Sequence, residues 1–188
     1  MLVVAALIVA VIYYRFPKSS ILRPLQYTGA TRCAGCHSTE AIGNQFGVWA
    51  SSAHTRSYST LLSERASTYA SENHRPAPQT DPFCLHCHTT EYAIAPAHKS
   101  STFRTGEGIT CEECHGPGSD YSTHFAMSDK KVFVKLGGKL GSERDCMRCH
   151  AMTMNAEHCP FQTQPFDLIK SMAAIAHPVP KKTFGITQ

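Results

Sequence analysis

The sequence lacks the features that identify a nucleic-acid-binding protein or a protein with a full-length membrane-spanning helix. It has no basic run with interleaved aromatic residues, so its formal net charge of +4 does not indicate nucleic-acid binding. It has one long apolar run, MLVVAALIVAVIYY at residues 1–14. As a helix this run spans roughly 20 Å, short of the ~30 Å hydrocarbon core of a bilayer. The chain has 188 residues, which is typical of a single domain.

The flanks of the apolar run nevertheless favour a membrane segment. No basic side chain precedes the run, and Tyr13, Tyr14 and Arg15 follow it. A cleaved signal peptide is the alternative, but it calls for a basic start and a small-residue cleavage site. Tyrosines at the end of the run resemble an interfacial belt. We therefore predict a membrane anchor or uncleaved signal at residues 1–16, followed by a tether at residues 17–32, for which an ordered N-terminal arm is the alternative.

The densest pattern in the chain is a repeated Cys-x-x-Cys-His motif. It occurs four times and uses eight of the nine cysteines: Cys33, Cys36 and His37; Cys84, Cys87 and His88; Cys111, Cys114 and His115; and Cys146, Cys149 and His150. This spacing is typical of covalent attachment of a c-type haem. The two thiols add to the haem vinyl groups, and the histidine becomes the proximal iron ligand.

Zinc ribbons, redox dithiols and disulfide scaffolds are the competing interpretations of paired cysteines. None of them requires a histidine after every pair. Histidine makes up 11 of the 188 residues, so four such histidines would arise by chance on the order of once in a hundred thousand cases. We therefore predict four covalently attached haems. The ninth cysteine, Cys159, is expected to be a small buried hydrophobic residue.

Four haems in so short a chain shape the expected fold. Much of the core would be porphyrin, which leaves little room for long strands. The predicted fold class is mainly α with extensive irregular loops, a compact multihaem cytochrome c fold wrapped around four covalent haems. Two propionates on each haem would add about eight negative charges and bring the net charge from +4 to about −4.

The predicted tetrahaem cytochrome domain covers residues 33–178, and residues 179–188 are expected to be a tail. Helical spacing of apolar residues predicts helix from Glu40 to about His74 and from Phe166 to Ala176. Prolines predict a loop from Arg75 to Pro82. Residues 89–108 and 155–165 are expected to be irregular, and residues 130–141 are expected to form a small strand or a loop.

Seven histidines lie outside the motifs and are candidates for the sixth position of each iron: His54, His74, His86, His98, His124, His158 and His177. A second imidazole gives a low-spin iron suited to electron transfer, whereas an open position suits binding of a small ligand. His86 lies between its own haem's cysteines, where geometry makes it a poor ligand. His74 and His158 are weak candidates.

The order of these motifs resembles the tetrahaem cytochrome c554 family from Cys33 to Pro178. The pattern is a first haem motif, Trp49 five residues before His54, a second motif, then Gly-Ile-Thr-Cys-x-x-Cys-His-Gly-Pro-Gly at residues 108–118 with His124 soon after. A fourth motif precedes a helix that starts with Phe166-Asp167 and ends near His177.

The resemblance implies axial ligand pairs that link distant segments. His124 would pair with His37, His54 with His115, and His177 with His150. The haem of His88 would be five-coordinate, although His98, in the segment between the second and third motifs, is an alternative sixth ligand.

The first functional hypothesis is an electron carrier on the cytoplasmic membrane, with the haem domain on the periplasmic or extracytoplasmic side. Covalent haem attachment outside the cytoplasm supports that side, although the basic residues after the apolar run oppose it. Its partners would be redox proteins or a membrane respiratory complex. A haem enzyme that acts on nitric oxide, hydroxylamine or nitrite at an open haem is one alternative, and a subunit of a haem filament or larger respiratory complex is another.

Overall fold

A computed structural model describes residues 23–150 and 166–177 of the chain. The predicted anchor at 1–16, the tail at 179–188, the loop at 155–165 and the residues His158 and Cys159 lie outside the described residues. Within those residues, no helix is long and apolar enough to cross a membrane.

The described part of the chain is built from short helices and irregular connections. The α-helices are α1 (Ala30–His37), α2 (Gln45–Ser51), α3 (Ala53–Thr60), α4 (Glu64–Glu72), α5 (Pro82–His88), α6 (Cys111–His115), α7 (His124–Met127), α8 (Lys130–Lys135), α9 (Glu143–His150) and α10 (Leu168–Ile175). Three short 3-10 helices cover Glu40–Ile42, Thr90–Ala93 and Pro96–His98. In the described ranges, β structure is limited to one isolated parallel bridge between Tyr27 and Lys99. The predicted mainly helical class with irregular loops is confirmed.

The region predicted as helix from Glu40 to His74 is helical but divided into several short pieces. Asn44 adopts a left-handed conformation, and its side chain accepts a hydrogen bond from the Gly47 amide at 3.2 Å. Ser52 is extended between α2 and α3. Ser63 starts α4, with its Oγ accepting from the Ala66 amide at 3.2 Å. Local caps therefore interrupt an apolar periodicity that by itself predicted one long helix.

Two loop predictions and one helix prediction have clear outcomes. Residues 75–81 are loop, as the prolines predicted. The helix predicted from Phe166 is α10, which begins after Asp167. The Asp167 carboxylate caps it by accepting a hydrogen bond from the Lys170 amide at 3.0 Å. The expected strand or loop at 130–141 is wrong at its start, because residues 130–135 form α8. Asp129 caps that helix by accepting from the Lys131 and Val132 amides at 2.7 and 3.2 Å. The cap outweighs the β-branched residues that favoured a strand.

The residues just before α1 form an ordered arm rather than a free tether. Thr28, Gly29 and Ala30 are all buried. The Tyr27 amide donates to the His98 carbonyl at 2.8 Å, and the Ser100 amide donates to the Tyr27 carbonyl at 3.0 Å. The end of the segment predicted as a tether is therefore packed against the rest of the protein.

The apolar core of the described residues is small. Its buried hydrophobic side chains are Ala30, Leu61, Ala66, Ala70, Ile94, Ile109, Tyr121 and Ala126, half of them alanine. Several large apolar side chains remain exposed, including Phe125 at 71% and Ile169 at 83%. Because so few side chains are buried, a set of large apolar prosthetic groups fits this fold as the remainder of its core.

Helix α3 is clamped to the segment that leads into α6. The indole Nε1 of Trp49 donates to the Ile109 carbonyl at 2.8 Å, and the Ile109 amide donates to the His54 carbonyl at 3.0 Å. Gly108 has a φ of +75°, and a Cβ built on it would lie 2.5 Å from the His54 carbonyl oxygen. The Trp49–His54 pair and the glycine before the third motif thus form one structural unit.

We expect Gly108→Ala to destabilise the protein by at least about 1–2 kcal/mol, the cost of placing a non-glycine residue in a left-handed conformation. The close approach of α3 adds to that cost. The matched control is Gly35→Ala, since Gly35 lies within α1 and its added Cβ meets nothing within 4 Å. The control should stabilise the helix by about 0.5–1 kcal/mol. Urea unfolding of both variants measures the difference, and equal midpoints would contradict the clamp.

Candidate haem sites

Each Cys-x-x-Cys-His motif lies at the end of a short helix. The helices α1, α5, α6 and α9 all terminate at the motif histidine. Cysteines three residues apart lie on one face of a helix, so both thiols of a motif project from the same side. One turn of chain therefore presents two sulfurs and an imidazole together, as covalent haem attachment requires.

Three of the four motif histidines are oriented by a hydrogen bond at Nδ1. The contacts are His37 with Gln45 Oε1 at 3.0 Å, His88 with the Ser57 carbonyl at 2.8 Å, and His115 with the Lys139 carbonyl at 2.9 Å. A carbonyl only accepts, so Nδ1 carries the proton in His88 and His115. Nε2 is therefore the unprotonated ring nitrogen in both, the arrangement found in metal-ligating histidines.

The fourth motif histidine, His150, is held by packing. Its Nδ1 is buried and has no hydrogen-bond partner among the described residues. Its ring stacks on Phe166, with centroids 4.1 Å apart and planes 10° apart. The Phe166-Asp167 pair that marks the start of α10 thus also supports this imidazole.

Two pairs of histidines face each other at a distance that fits an iron between them. The ring centroids of His54 and His150 are 6.2 Å apart, and those of His115 and His177 are 5.9 Å apart. Two metal–imidazole bonds of about 2.0–2.1 Å, plus the two ring radii, require a separation of about 6 Å. The described residues hold no group of three or more side chains arranged to bind a bare metal ion. Paired imidazoles are the donor set of a bis-histidine haem.

These contacts differ from the axial pairs that the family resemblance implied, and the ligation of each iron stays a prediction. His54 was expected opposite His115 and lies by His150, and His177 was expected opposite His150 and lies by His115. The backbone of His54 is clamped to Ile109 beside the third motif, but its ring extends towards the fourth. The sequence singled out these four histidines as candidate ligands, and the structure brings them together in a different combination.

Burial suits these histidines to ligation. Burial lowers the pKa of His54, His150 and His177 below the usual range for histidine. The paired imidazoles add to the effect, since His54 lowers the pKa of His150 and His115 lowers that of His177. A lowered pKa keeps the ring neutral near pH 7, and only a neutral imidazole has a lone pair for iron.

The remaining candidate histidines lie at the surface. His124 begins α7 and is exposed, and its pairing with His37 stays a prediction. His98 is exposed, and its Nδ1 donates to the Leu25 carbonyl at 3.1 Å, so its Nε2 is free. That orientation suits an iron ligand. The sixth ligand of the His88 haem also stays a prediction. His74 and His86 are both exposed.

The four motif helices adjoin one another in the order first, third, fourth, second. Helix α1, with the first motif, packs against α6, with the third. The Sγ of Cys149 in the fourth motif lies 4.0 Å from the His86 carbonyl in the second. Arg148 joins the third and fourth motifs, as its Nη2 donates to the carboxylate and the carbonyl of Glu113 at 2.7 and 3.1 Å.

The acidic residues near the second motif have structural roles. Glu91 forms an ion pair with Lys99 at 2.7 Å. Glu107 accepts from the Ala30 amide at 3.0 Å and from the Thr31 hydroxyl at 3.3 Å, so it caps α1. Both carboxylates are therefore engaged in contacts that hold the fold together.

The helical motifs with oriented histidines define a c-type cytochrome with covalent haem c. The family described as cytochrome c554 and c-prime matches residues 32–116, which include the first three motifs. A curated relative, cytochrome c-554 of Nitrosomonas europaea (strain ATCC 19718), is 22% identical over 176 residues, covering 86% of this chain and 72% of its own. No solved structure matches the chain. These two matches confirm the resemblance to the cytochrome c554 family that the motifs predicted.

Several residues that orient the imidazoles were not identified from the sequence. Ser57 and Lys139 act through backbone carbonyls, which any residue could provide, so the sequence carries no signal for them. Gln45 and Thr60 act through side chains, and Thr60 Oγ1 lies 3.1 Å from Nδ1 of His88. Their spacing from the motifs follows no pattern that would single them out.

We expect His54→Ala and His177→Ala each to convert one low-spin haem to high spin, because each removes one of two axial imidazoles. Electron paramagnetic resonance of the oxidised holoproteins detects the change. His74→Ala is the control and should leave the spectrum unaltered, since His74 is an exposed turn residue.

Paramagnetic NMR of the unsubstituted protein tests the pairing itself. Ring protons of His54 should contact the haem attached to Cys146 and Cys149. Contacts with the haem on Cys111 and Cys114 would instead support the pairing of His54 with His115 that the family resemblance implied.

Proposed function

We propose that the chain is a tetrahaem electron carrier. Cys33 and Cys36, Cys84 and Cys87, Cys111 and Cys114, and Cys146 and Cys149 would attach the four haems, with His37, His88, His115 and His150 as proximal ligands. His150 with His54, and His115 with His177, would complete two bis-histidine sites. His124 would serve the first haem. When bound, haem iron supplies one-electron redox chemistry.

The observation that carries this proposal is the contiguity of the four motif helices. The packing of α1 on α6 joins the first and third motifs, the Arg148–Glu113 bridge joins the third and fourth, and the contact of the Cys149 Sγ with the His86 carbonyl at 4.0 Å joins the fourth and second. Groups attached to neighbouring cysteines lie close enough for electrons to pass between them. Burial lowers the pKa of His54, His150 and His177, which keeps these three imidazoles available to iron.

The proposed location is the outer face of the cytoplasmic membrane. Covalent haem attachment occurs outside the cytoplasm, and the apolar run at residues 1–14 would supply the anchor. The carrier would pass electrons between a membrane or quinone-linked redox complex and another redox protein. Such partners would dock where a haem edge reaches the surface.

The number of haems is tested by mass and by titration. The intact protein should exceed its polypeptide mass by four haems, and full reduction should consume four electrons per chain. A Cys146→Ala, Cys149→Ala variant should carry one haem fewer, because no thiols remain at the fourth motif. Three haems in the unsubstituted protein would overturn the tetrahaem proposal.

Ligand binding separates the carrier from an enzyme at an open haem. We expect the paramagnetic resonance signals assigned to the haems of His115 and His150 to be unchanged by cyanide or nitric oxide, because two imidazoles fill each iron's axial positions. A high-spin signal that shifts on adding either ligand, lost with the Cys84→Ala, Cys87→Ala variant, would show an open second haem. A low-spin second haem that becomes high-spin in His98→Ala would identify His98 as its sixth ligand.

A further inference from the structure

One acidic side chain is almost completely enclosed at the third motif. Glu112 follows Cys111 directly and is 1% exposed. Its carboxylate accepts hydrogen bonds from the amides of Thr28, Gly29 and Gly118 at 2.8, 2.8 and 2.7 Å. The Thr28 hydroxyl lies 3.2 Å away and adds a fourth donor. Such a set of donors converging on one buried carboxylate is a built electrostatic site.

These partners favour the ionised carboxylate. Burial is the larger influence and raises the pKa of Glu112 above the usual range for glutamate, while the hydrogen bonds from Thr28, Gly118 and Gly29 favour the ionised form and oppose that rise. A protonated carboxyl group would need an acceptor for its own hydrogen. Three of the four donors are backbone N–H groups, which have no acceptor to offer. The pocket therefore stabilises a negative charge.

The charge lies where the first and third motifs meet. Thr28 and Gly29 directly precede α1, which carries Cys33, and α1 packs against α6, which carries Cys111 and Glu112. Glu112 follows Cys111 in the chain and is hydrogen-bonded to the residues that lead into α1. The charge of the carboxylate therefore lies between the two helices that would carry the first and third haems.

We propose that Glu112 is a fixed buried anion that lowers the reduction potentials of the first and third haems and has little effect on those of the second and fourth. Each reduction adds one electron to a ferric haem and gives a ferrous haem, while Glu112 stays ionised and no proton moves. A nearby negative charge in a low-dielectric interior opposes the added electron. The inference rests on the proposed four-haem carrier. By lowering these two potentials, the charge would favour electron transfer from the first and third haems to the fourth and second.

The test is a spectroelectrochemical titration of the Glu112→Gln holoprotein. Two of the four midpoint potentials should shift to more positive values, and the other two should stay within error of the unsubstituted protein. Glu107→Gln is the matched control. Glu107 also contacts the start of α1, but it lies outside the motifs and is only half-buried, so its shift should be clearly smaller. Four unchanged potentials, or equal shifts in both variants, would overturn the proposal.

A second variant separates charge from packing. Glu112→Asp keeps the charge and shortens the side chain, so the two low potentials should persist even if the thermal midpoint falls. Higher potentials in this variant would show that packing, rather than charge, sets the potentials of the first and third haems. If Glu112→Gln fails to assemble with haem, the Glu112→Asp variant still tests the proposal. Haem content is measured on every sample. Fewer than four haems in the unsubstituted protein would contradict the proposed function, whereas four haems with unshifted potentials would contradict this inference alone.

Discussion

Covalent haem attachment imposes one geometric constraint from which the rest of the structure follows. Two thiols and an imidazole must project from a single helical turn, and the imidazole must be held with its Nε2 facing outward. In this chain the motif helices end at the histidine, and separate segments hold Nδ1. The short helices, the small apolar core and the irregular connections are all consistent with this requirement.

The distal histidines connect segments that are far apart in sequence. His54 reaches His150 across almost a hundred residues, and His177 reaches His115 from the described end of the chain. Each such pair would close a large loop when iron joins it, so haem binding and folding are coupled. The clamp of α3 on Ile109 adds a contact between His54 and the third motif as well. One short helix thereby links the third and fourth sites.

Buried polar groups are concentrated at the joints between motifs. Glu112 holds the arm before α1 against the start of the turn after α6, and Tyr121 donates to the Gly116 carbonyl at 2.6 Å on the same side. Arg148 crosses from the fourth motif to Glu113 in the third. Residues inside a motif that are not themselves ligands therefore set how one haem site lies against the next.

The sequence alone determined the chemistry and the helical class. The repeated spacing of cysteines and histidine follows from the size of one haem, and the helix after Phe166-Asp167 follows from its cap and apolar face. Tertiary structure decided which histidine faces which, where helices break and what orients the imidazoles. Those outcomes depend on backbone carbonyls, on caps such as Asn44 and Asp129, and on long-range packing, none of which local sequence records. His54 shows the difference: its residue type and position made it a candidate ligand, but only the packed position of α3 places its ring beside that of His150.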